Sequence, residues 1–397
     1  MDCWLWNGLY RKISRIRLCW IYYYLKMKIN KIQIDVIERD PGPLNVKDER
    51  SNIGGKTTQG VLRLITDEGI EGNAFIGDQA SSSEDRIKII NDVLKPKILG
   101  MNSDDREWLW SEVDNLSGHG LPIYSSWAPI DVALWDIAGK ELGKPIFSLL
   151  GGKDKEIKLY ATYPPRHNNP EGFIEESEEL LDEGYSAYKI HPGNLTVKDT
   201  ISVVEGVRKA VGNKMELMLD RNHGYSLNEA LKVGKALDSN NYYWFEDPVI
   251  TSNIRGIKRL HETLDTPINM SDSATFLIKE AANFLGNNLV GMIRGTTRKL
   301  GITGLIKLSA MADAFNINCE IGLAGNSIMN IANLHVISSV SNNSFYEYWR
   351  PEHIHQWGID KEIQINPNGK LNLPQNPGLG INLDEDWIDF HKVHSID

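Results

Sequence analysis

The chain has 397 residues, 41% hydrophobic and 24% charged, with a formal net charge of −10 and a pI near 5.6. That length calls for two domains, and the composition is that of an ordinary globular protein. An acidic chain without a dense Lys/Arg stripe argues against nucleic acid as a partner, because such binding rests on neutralising phosphates. The scattered cysteines Cys3, Cys19 and Cys319 suit neither a disulfide framework nor a zinc site and point to a reducing, cytoplasmic setting.

Residues 1–26 stand apart. Trp4, Trp6, Trp20 and Tyr22 to Tyr24 lie among Arg11, Lys12, Arg15 and Arg17, and the apolar run 18–25 is far short of the ~20 residues that span a bilayer. A small-residue cleavage site is lacking, so neither a membrane span nor a signal peptide is expected. Two readings remain, a peripheral amphipathic segment or an extension ahead of the native start. Met27 immediately precedes the alternating pattern of 29–37, which favours the extension. Strands at 61–65 and 72–75, joined by the turn Asp67-Glu68-Gly69, extend that first strand to a small antiparallel sheet. Helical patterns then run over 83–99, 104–116 and 129–140, ending before Lys144-Pro145 and Gly151-Gly152. Residues 27–152 therefore read as an α+β domain.

From about residue 156 strands and helices alternate strictly. Strands are expected at 187–190, 215–219, 243–246, 267–270, 289–293, 317–321 and 345–348, and Ser226 with Glu229 forms a capping-box pattern at the start of one helix. Such units in series predict a parallel β/α barrel over 153–350 rather than an open doubly wound sheet, since no Gly-rich dinucleotide fingerprint follows any strand. The segment 351–397 returns to short strands and turns, including Pro377-Gly378-Leu379-Gly380, and is expected to pack on the first domain.

Function in such a barrel sits at the C-terminal ends of the strands. Three consecutive strands end in carboxylates, Asp220, Glu246 and Asp272, evenly spaced by about one βα unit. Converging at the mouth they repel one another unless a cation sits between them, and all-oxygen ligation selects Mg²⁺ over zinc. The competing reading makes each a helix N-cap. Glu246 ends the apolar run Tyr243-Trp244-Phe245, where a lone charge is costly, and this favours the metal. Lys189 ends the second barrel strand, and His191, two residues on, points to the same side. A lysine beside a metal can have its pKa lowered to ~7–8 and act as a base. A cation holding a substrate carboxylate while Lys189 removes the α-proton would stabilise charge that develops in the transition state.

These residues carry a family resemblance. Trp135-Asp136-Ile137-Ala138-Gly139-Lys140-Glu141-Leu142-Gly143-Lys144-Pro145, followed by Leu149-Leu150-Gly151-Gly152, resembles the signature closing the capping domain of mandelate racemase/muconate lactonising enzymes, in the enolase superfamily. Asp220-Arg221-Asn222 resembles the first metal-ligand motif, Trp244-Phe245-Glu246-Asp247-Pro248 the second, and Pro267-Ile268 through Asp272 the third, with Asp272 in place of the usual Glu. Pro377-Gly378-Leu379-Gly380 resembles the return of the chain to the lid. The resemblance covers residues 28 to about 385. It implies a modified TIM barrel with an α+β N-terminal capping domain completed by the C-terminal tail, Mg²⁺ as cofactor, a small-molecule carboxylate substrate and a homo-oligomer.

Departures from the pattern narrow the chemistry. Lys189-Ile190-His191 stands where many members have Lys-x-Lys, which makes His191 a catalytic candidate beside Lys189. Mandelate-racemase-like members carry an Asp on the sixth barrel strand and a His on the seventh. The corresponding stretches here are Ile293-Arg294-Gly295-Thr296 and Cys319-Glu320-Ile321-Gly322, and neither Gly295, Thr296 nor Gly322 can move a proton. Arg294, nearest to the Lys of muconate-lactonising members, stays protonated. Glu347 resembles a position that hydrogen-bonds the substrate carboxylate, and Asn222, His223, Arg294, Asn326 and Arg350 are candidate substrate contacts. Racemisation needs bases on both faces, whereas dehydration of a 2,3-dihydroxy acid runs with one. The expected function is therefore dehydration of a sugar acid, an aldonate or aldarate, to a 2-keto-3-deoxy acid. The alternatives are a member that binds metal and sugar acid without turnover, or an epimerase or cycloisomerase. Substrate choice is expected to lie in lid segments 40–54 and 77–84.

Overall fold

The computed structural model describes residues 27–42, 55–78, 82–117, 123–270 and 278–397. The expectations for 1–26, for Asp272 and for the lid positions 43–54 and 79–81 lie outside these residues.

The lid is built on β1 (Ile29–Arg39), β2 (Thr57–Thr66) and β3 (Glu71–Ile76), antiparallel and in sequence order. A fourth strand from the far end of the chain, β12 (Lys392–Ile396), adds to the free edge of β1 with Ile34 opposite Ile396. The helix Tyr124–Glu141 buries Trp127, Ile130, Leu134 and Ile137 in the core beneath the sheet. It begins ahead of the predicted position, and Pro129 lies in its second turn rather than its first. The helix predicted at 83–99 is broken into Glu84–Ile89, a π turn at Ile90–Leu94 and Lys95–Ile98. Pro96 has no N–H to return to the preceding turn, so the ladder changes register there.

The tail fastens to this lid at the signature helix. The Leu379 N–H donates to Asp136 Oδ1 (2.8 Å), and the Ile146 N–H donates to the Gly378 carbonyl (3.0 Å). Only glycine fits at 139, because a Cβ there would stand 2.5 Å from Gly378 Cα.

The second body is a parallel barrel of eight strands: β4 (Leu159–Thr162), β5 (Ala187–Ile190), β6 (Glu216–Asp220), β7 (Trp244–Glu246), β8 (Ile268–Met270), β9 (Met292–Gly295), β10 (Asn318–Ile321) and β11 (Tyr346–Trp349). Hydrogen-bonded ladders run from β10 through β4 to β11. Between β10 and β11 the seam is held by the Cys319 N–H donating to the Asn342 carbonyl and the Ile321 N–H donating to the Asn343 side chain, both 2.7 Å. The strand expected at 289–293 lies further on, so Arg294 falls within it. Side-chain alternation sends Phe245, Ile268, Met270 and Ile293 outward into the main core under the helices. Tyr160, Met218, Trp244, Met292 and Phe345 form a separate inner cluster. The capping box is present: Glu229 N–H donates to Ser226 Oγ, and the Glu229 carboxylate accepts from the Ser226 N–H. No helix among the described residues is long and apolar enough to cross a membrane.

Candidate active site

Asp220 closes β6 and Glu246 closes β7, and the two are direct partners in the parallel ladder, so both side chains face the barrel interior. Neither caps a helix, since the helices that follow are capped by Ser226 and Asn253. Asp220 Oδ1 accepts from the Asn222 N–H (2.8 Å), while Oδ2 lies 3.1 Å from His191 Nε2 and 3.5 Å from Lys189 Nζ. Asp247 joins them. Its left-handed backbone (φ 41°) breaks the strand alternation, and ligand oxygens of Asp220, Glu246 and Asp247 all come within 4.8 Å of one another. Read by alternation alone, Asp247 would face away from Glu246, which is why the sequence does not mark it. Three buried carboxylates converging with oxygen donors only are a donor set that fits a hard divalent cation.

Lys189 lies at the centre of this charge. Its Nζ is 2.7 Å from Glu347 Oε1 and 3.2 Å from Glu246 Oε2. Burial would push its pKa down, but Glu246 and Glu347 outweigh burial and hold it well above the usual lysine value. The lowered value expected of a lysine base is thus not what these carboxylates produce by themselves. Burial pushes Glu246 up to about 7, with the Asp220 charge adding to it against Arg294. Asp220 is held below its usual range because Lys189 and His191 overcome the effect of burial. His191 is fixed on its other side, with Nδ1 2.8 Å from the Tyr163 carbonyl and 3.1 Å from Thr162 Oγ1.

Arg294 is the second cation of the interior. Its Nη2 donates to Glu347 Oε2 (2.6 Å), its Nε lies 3.1 Å from Glu246 Oε1, and both terminal nitrogens reach the Tyr160 hydroxyl at 3.1 Å. Glu347 also accepts from the Leu323 N–H (2.6 Å), and burial is outweighed by Lys189 and Arg294, which bring its pKa to about 2. Arg294 therefore pins two carboxylates instead of presenting a free fork to a ligand. It also accounts for Gly322: a Cβ at that position would stand 2.5 Å from Arg294 Nη2, so the guanidinium fills the space a longer residue at 322 would need.

The remaining candidates divide. Asn222 is exposed at the mouth in a left-handed conformation (φ 49°). His223 sits behind Asp247, with Nε2 3.3 Å from Asp247 Oδ2 and Nδ1 3.2 Å from the Val249 carbonyl. Asn326 does not face the carboxylates. Its amide nitrogen donates to the Gly77 carbonyl (2.8 Å), and its oxygen accepts from the Met329 N–H (3.0 Å), so it ties the lid to the rim and caps the helix Ser327–Ser339. Arg350 is engaged elsewhere: its guanidinium turns to Glu183 (2.7 Å), Tyr185 (2.9 Å) and Glu352 (3.1 Å). Tyr160, Thr162 and Asp247 are the contacts that sequence reasoning missed.

Comparison with known proteins agrees with this geometry. Residues 50–151 match the mandelate racemase/muconate lactonizing enzyme N-terminal domain, and residues 172–387 match the enolase C-terminal domain-like family. The chain is 25% identical over 362 residues to an arabinonate dehydratase of Saccharolobus solfataricus, covering 88% of this chain and 96% of that one. It is 26% identical over 332 residues to an L-Ala-D/L-Glu epimerase of Bacillus subtilis, covering 81% and 88%. The crystal structure of D-glucarate dehydratase from Agrobacterium tumefaciens complexed with magnesium superposes with a TM-score of 0.80 at 25% identity, over 93% of this chain and 100% of that one. Two matched domains spanning lid and barrel, in the fold described above, establish that this chain belongs to the mandelate racemase/muconate lactonizing enzyme family of the enolase superfamily.

Proposed function

We propose that the protein abstracts the proton α to a carboxylate in a Mg²⁺-dependent reaction, and that the reaction is dehydration of a sugar acid to a 2-keto-3-deoxy acid. One observation carries the reading. Lys189 stands among the strand-end carboxylates beside His191, while Gly295, Thr296 and Gly322, at the positions that would have to carry a second proton-transfer pair for racemisation, hold no group that can move a proton. Arabinonate and D-glucarate dehydratases among the relatives support the substrate class.

Asp220, Glu246 and Asp247, with Asp272, would hold the cation. When bound, it supplies positive charge that offsets the carboxylates now retaining the Lys189 proton and that favours the charge developing on a substrate carboxylate. Lys189 then takes the C2 proton, and the C2–H electron pair forms the C2–C3 double bond as the C3–O bond breaks. The departing hydroxyl leaves as water with a proton from the Lys189 ammonium or from His191, which Tyr163, Thr162 and Asp220 hold in place. The resulting enol tautomerises to the keto acid. The closed ion-pair network of Lys189, Arg294, Glu246 and Glu347 favours, as a second reading, a member that binds a sugar acid without turning it over.

Turnover of a sugar acid by the wild type separates the two readings, and Lys189→Ala tests the base. Dehydration requires that the variant lose turnover by several orders of magnitude while its Mg²⁺ affinity, followed by calorimetry, stays within a few-fold of the wild type. Retained turnover in the variant would sink the assignment of Lys189 as base.

A further inference from the structure

Asn269 lies at the middle of β8 with its ladder partners Glu246 on one side and Met292 on the other. Glu246 and Met292 both face the barrel interior. The neighbours of Asn269 along the strand, Ile268 and Met270, face outward into the main core. Strand alternation therefore turns the Asn269 carboxamide inward, level with the Glu246 carboxylate. The residue is 0% exposed, yet neither Oδ1 nor Nδ2 has a hydrogen-bond partner. Buried carboxamides are almost always paired, and leaving both ends unpaired in a barrel is unfavourable unless something else takes up the pairing. The inner cluster beside it is apolar, so an alanine or leucine would pack there without that penalty.

Taking the carboxylates as a divalent-cation centre, on which this inference rests, we propose that Asn269 is a further member of that centre. Its side chain is one methylene shorter than that of Glu246 on the adjacent strand, so the carboxamide stops short of the carboxylates. It reaches the cation through a cation-bound water, with Oδ1 accepting from that water. Magnesium commonly keeps several of its waters, and groups that hydrogen-bond to what the metal binds affect affinity strongly. A neutral acceptor at this depth adds no negative charge to a site already rich in carboxylates.

The test is Mg²⁺ affinity by isothermal titration calorimetry, with melting temperature in EDTA, for the wild type, Asn269→Ala and Asn269→Leu. The leucine variant keeps the side-chain volume should alanine leave a void that impairs folding. The expected result is Mg²⁺ binding weakened about 10–100-fold in each folded variant, with the metal-free melting temperature unchanged or raised. Unchanged affinity, whatever the melting temperature does, overturns the assignment and makes Asn269 a structural residue only. Absence of Mg²⁺ binding by the wild type overturns it too. Because no substrate enters the experiment, unchanged affinity in the variants leaves the dehydration reading standing.

Discussion

Arg294 is held by Glu246, Glu347 and Tyr160 in an interior where each charge has a partner, and removing one partner leaves the others buried and uncompensated. Such a loss is worth about 3–5 kcal/mol. Arg294→Met is therefore expected to lower the unfolding free energy in urea by that amount, and Arg294→Lys by less. A near-neutral Arg294→Met would show that the network contributes little to the folded state. The sequence placed Arg294 near the mouth because it sits at a strand end, but its role depends on Glu347, which meets it only when β11 comes round the barrel. Asp247 and Asn269 escaped notice for related reasons. A single left-handed residue redirects one, and the other sits in a short apolar strand where periodicity alone gives no sign of a missing partner.

Lid and barrel meet where the helix Tyr124–Glu141 packs against Thr297–Ala314, whose helical geometry breaks at Gly301. Asp131 Oδ2 accepts the Thr303 N–H at that break (2.9 Å), and burial pushes its carboxyl up to about 6 despite the hydrogen bonds from Thr303. The folded chain thus holds a proton on Asp131 that the unfolded chain, with a value near 3.8, has already lost. Between these two values the folded state binds more protons, so this group's contribution to stability is complete below about pH 3.8 and falls as pH rises through about 6. Relative to the wild type, Asp131→Asn should gain stability as pH is raised across that window, by up to about 3 kcal/mol. Parallel pH–stability curves for the two proteins would show that Asp131 titrates normally. Helix existence at this joint was legible from its apolar periodicity. Its start was not, because Pro129 reads as a first-turn residue and in fact stands one turn inside.

Across the whole molecule, β12 pairs with β1, more than 350 residues before it, to close one lid. Asp136 accepts from the backbones of Asn73 (3.0 Å) and Leu379 (2.8 Å), so one carboxylate joins the lid sheet, the signature helix and the tail. Gly139→Ala drives a methyl group into the Gly378 backbone. Overpacking of this kind typically costs about 1–3 kcal/mol, and limited proteolysis should then release the segment after residue 378 faster than in the wild type. Equal cleavage rates would mean that the tail adjusts without loosening. The barrel was readable because strand–helix alternation repeats over about half the chain, and the Trp135 to Pro145 motif marked the lid. The pairing of β12 with β1 was not readable, since strands at opposite ends of a sequence carry no register signal for one another.

The proposed reaction is α-proton abstraction by Lys189 followed by loss of the C3 hydroxyl. Proton NMR of the enzyme with Mg²⁺ and a panel of aldonates and aldarates in D₂O tests it most directly, because one spectrum reports both C2 exchange and conversion. At least one sugar acid is expected to disappear into a 3-deoxy-2-keto acid carrying deuterium at C3. Silence across the panel with metal bound, or C2 exchange that never leads to product, would contradict it.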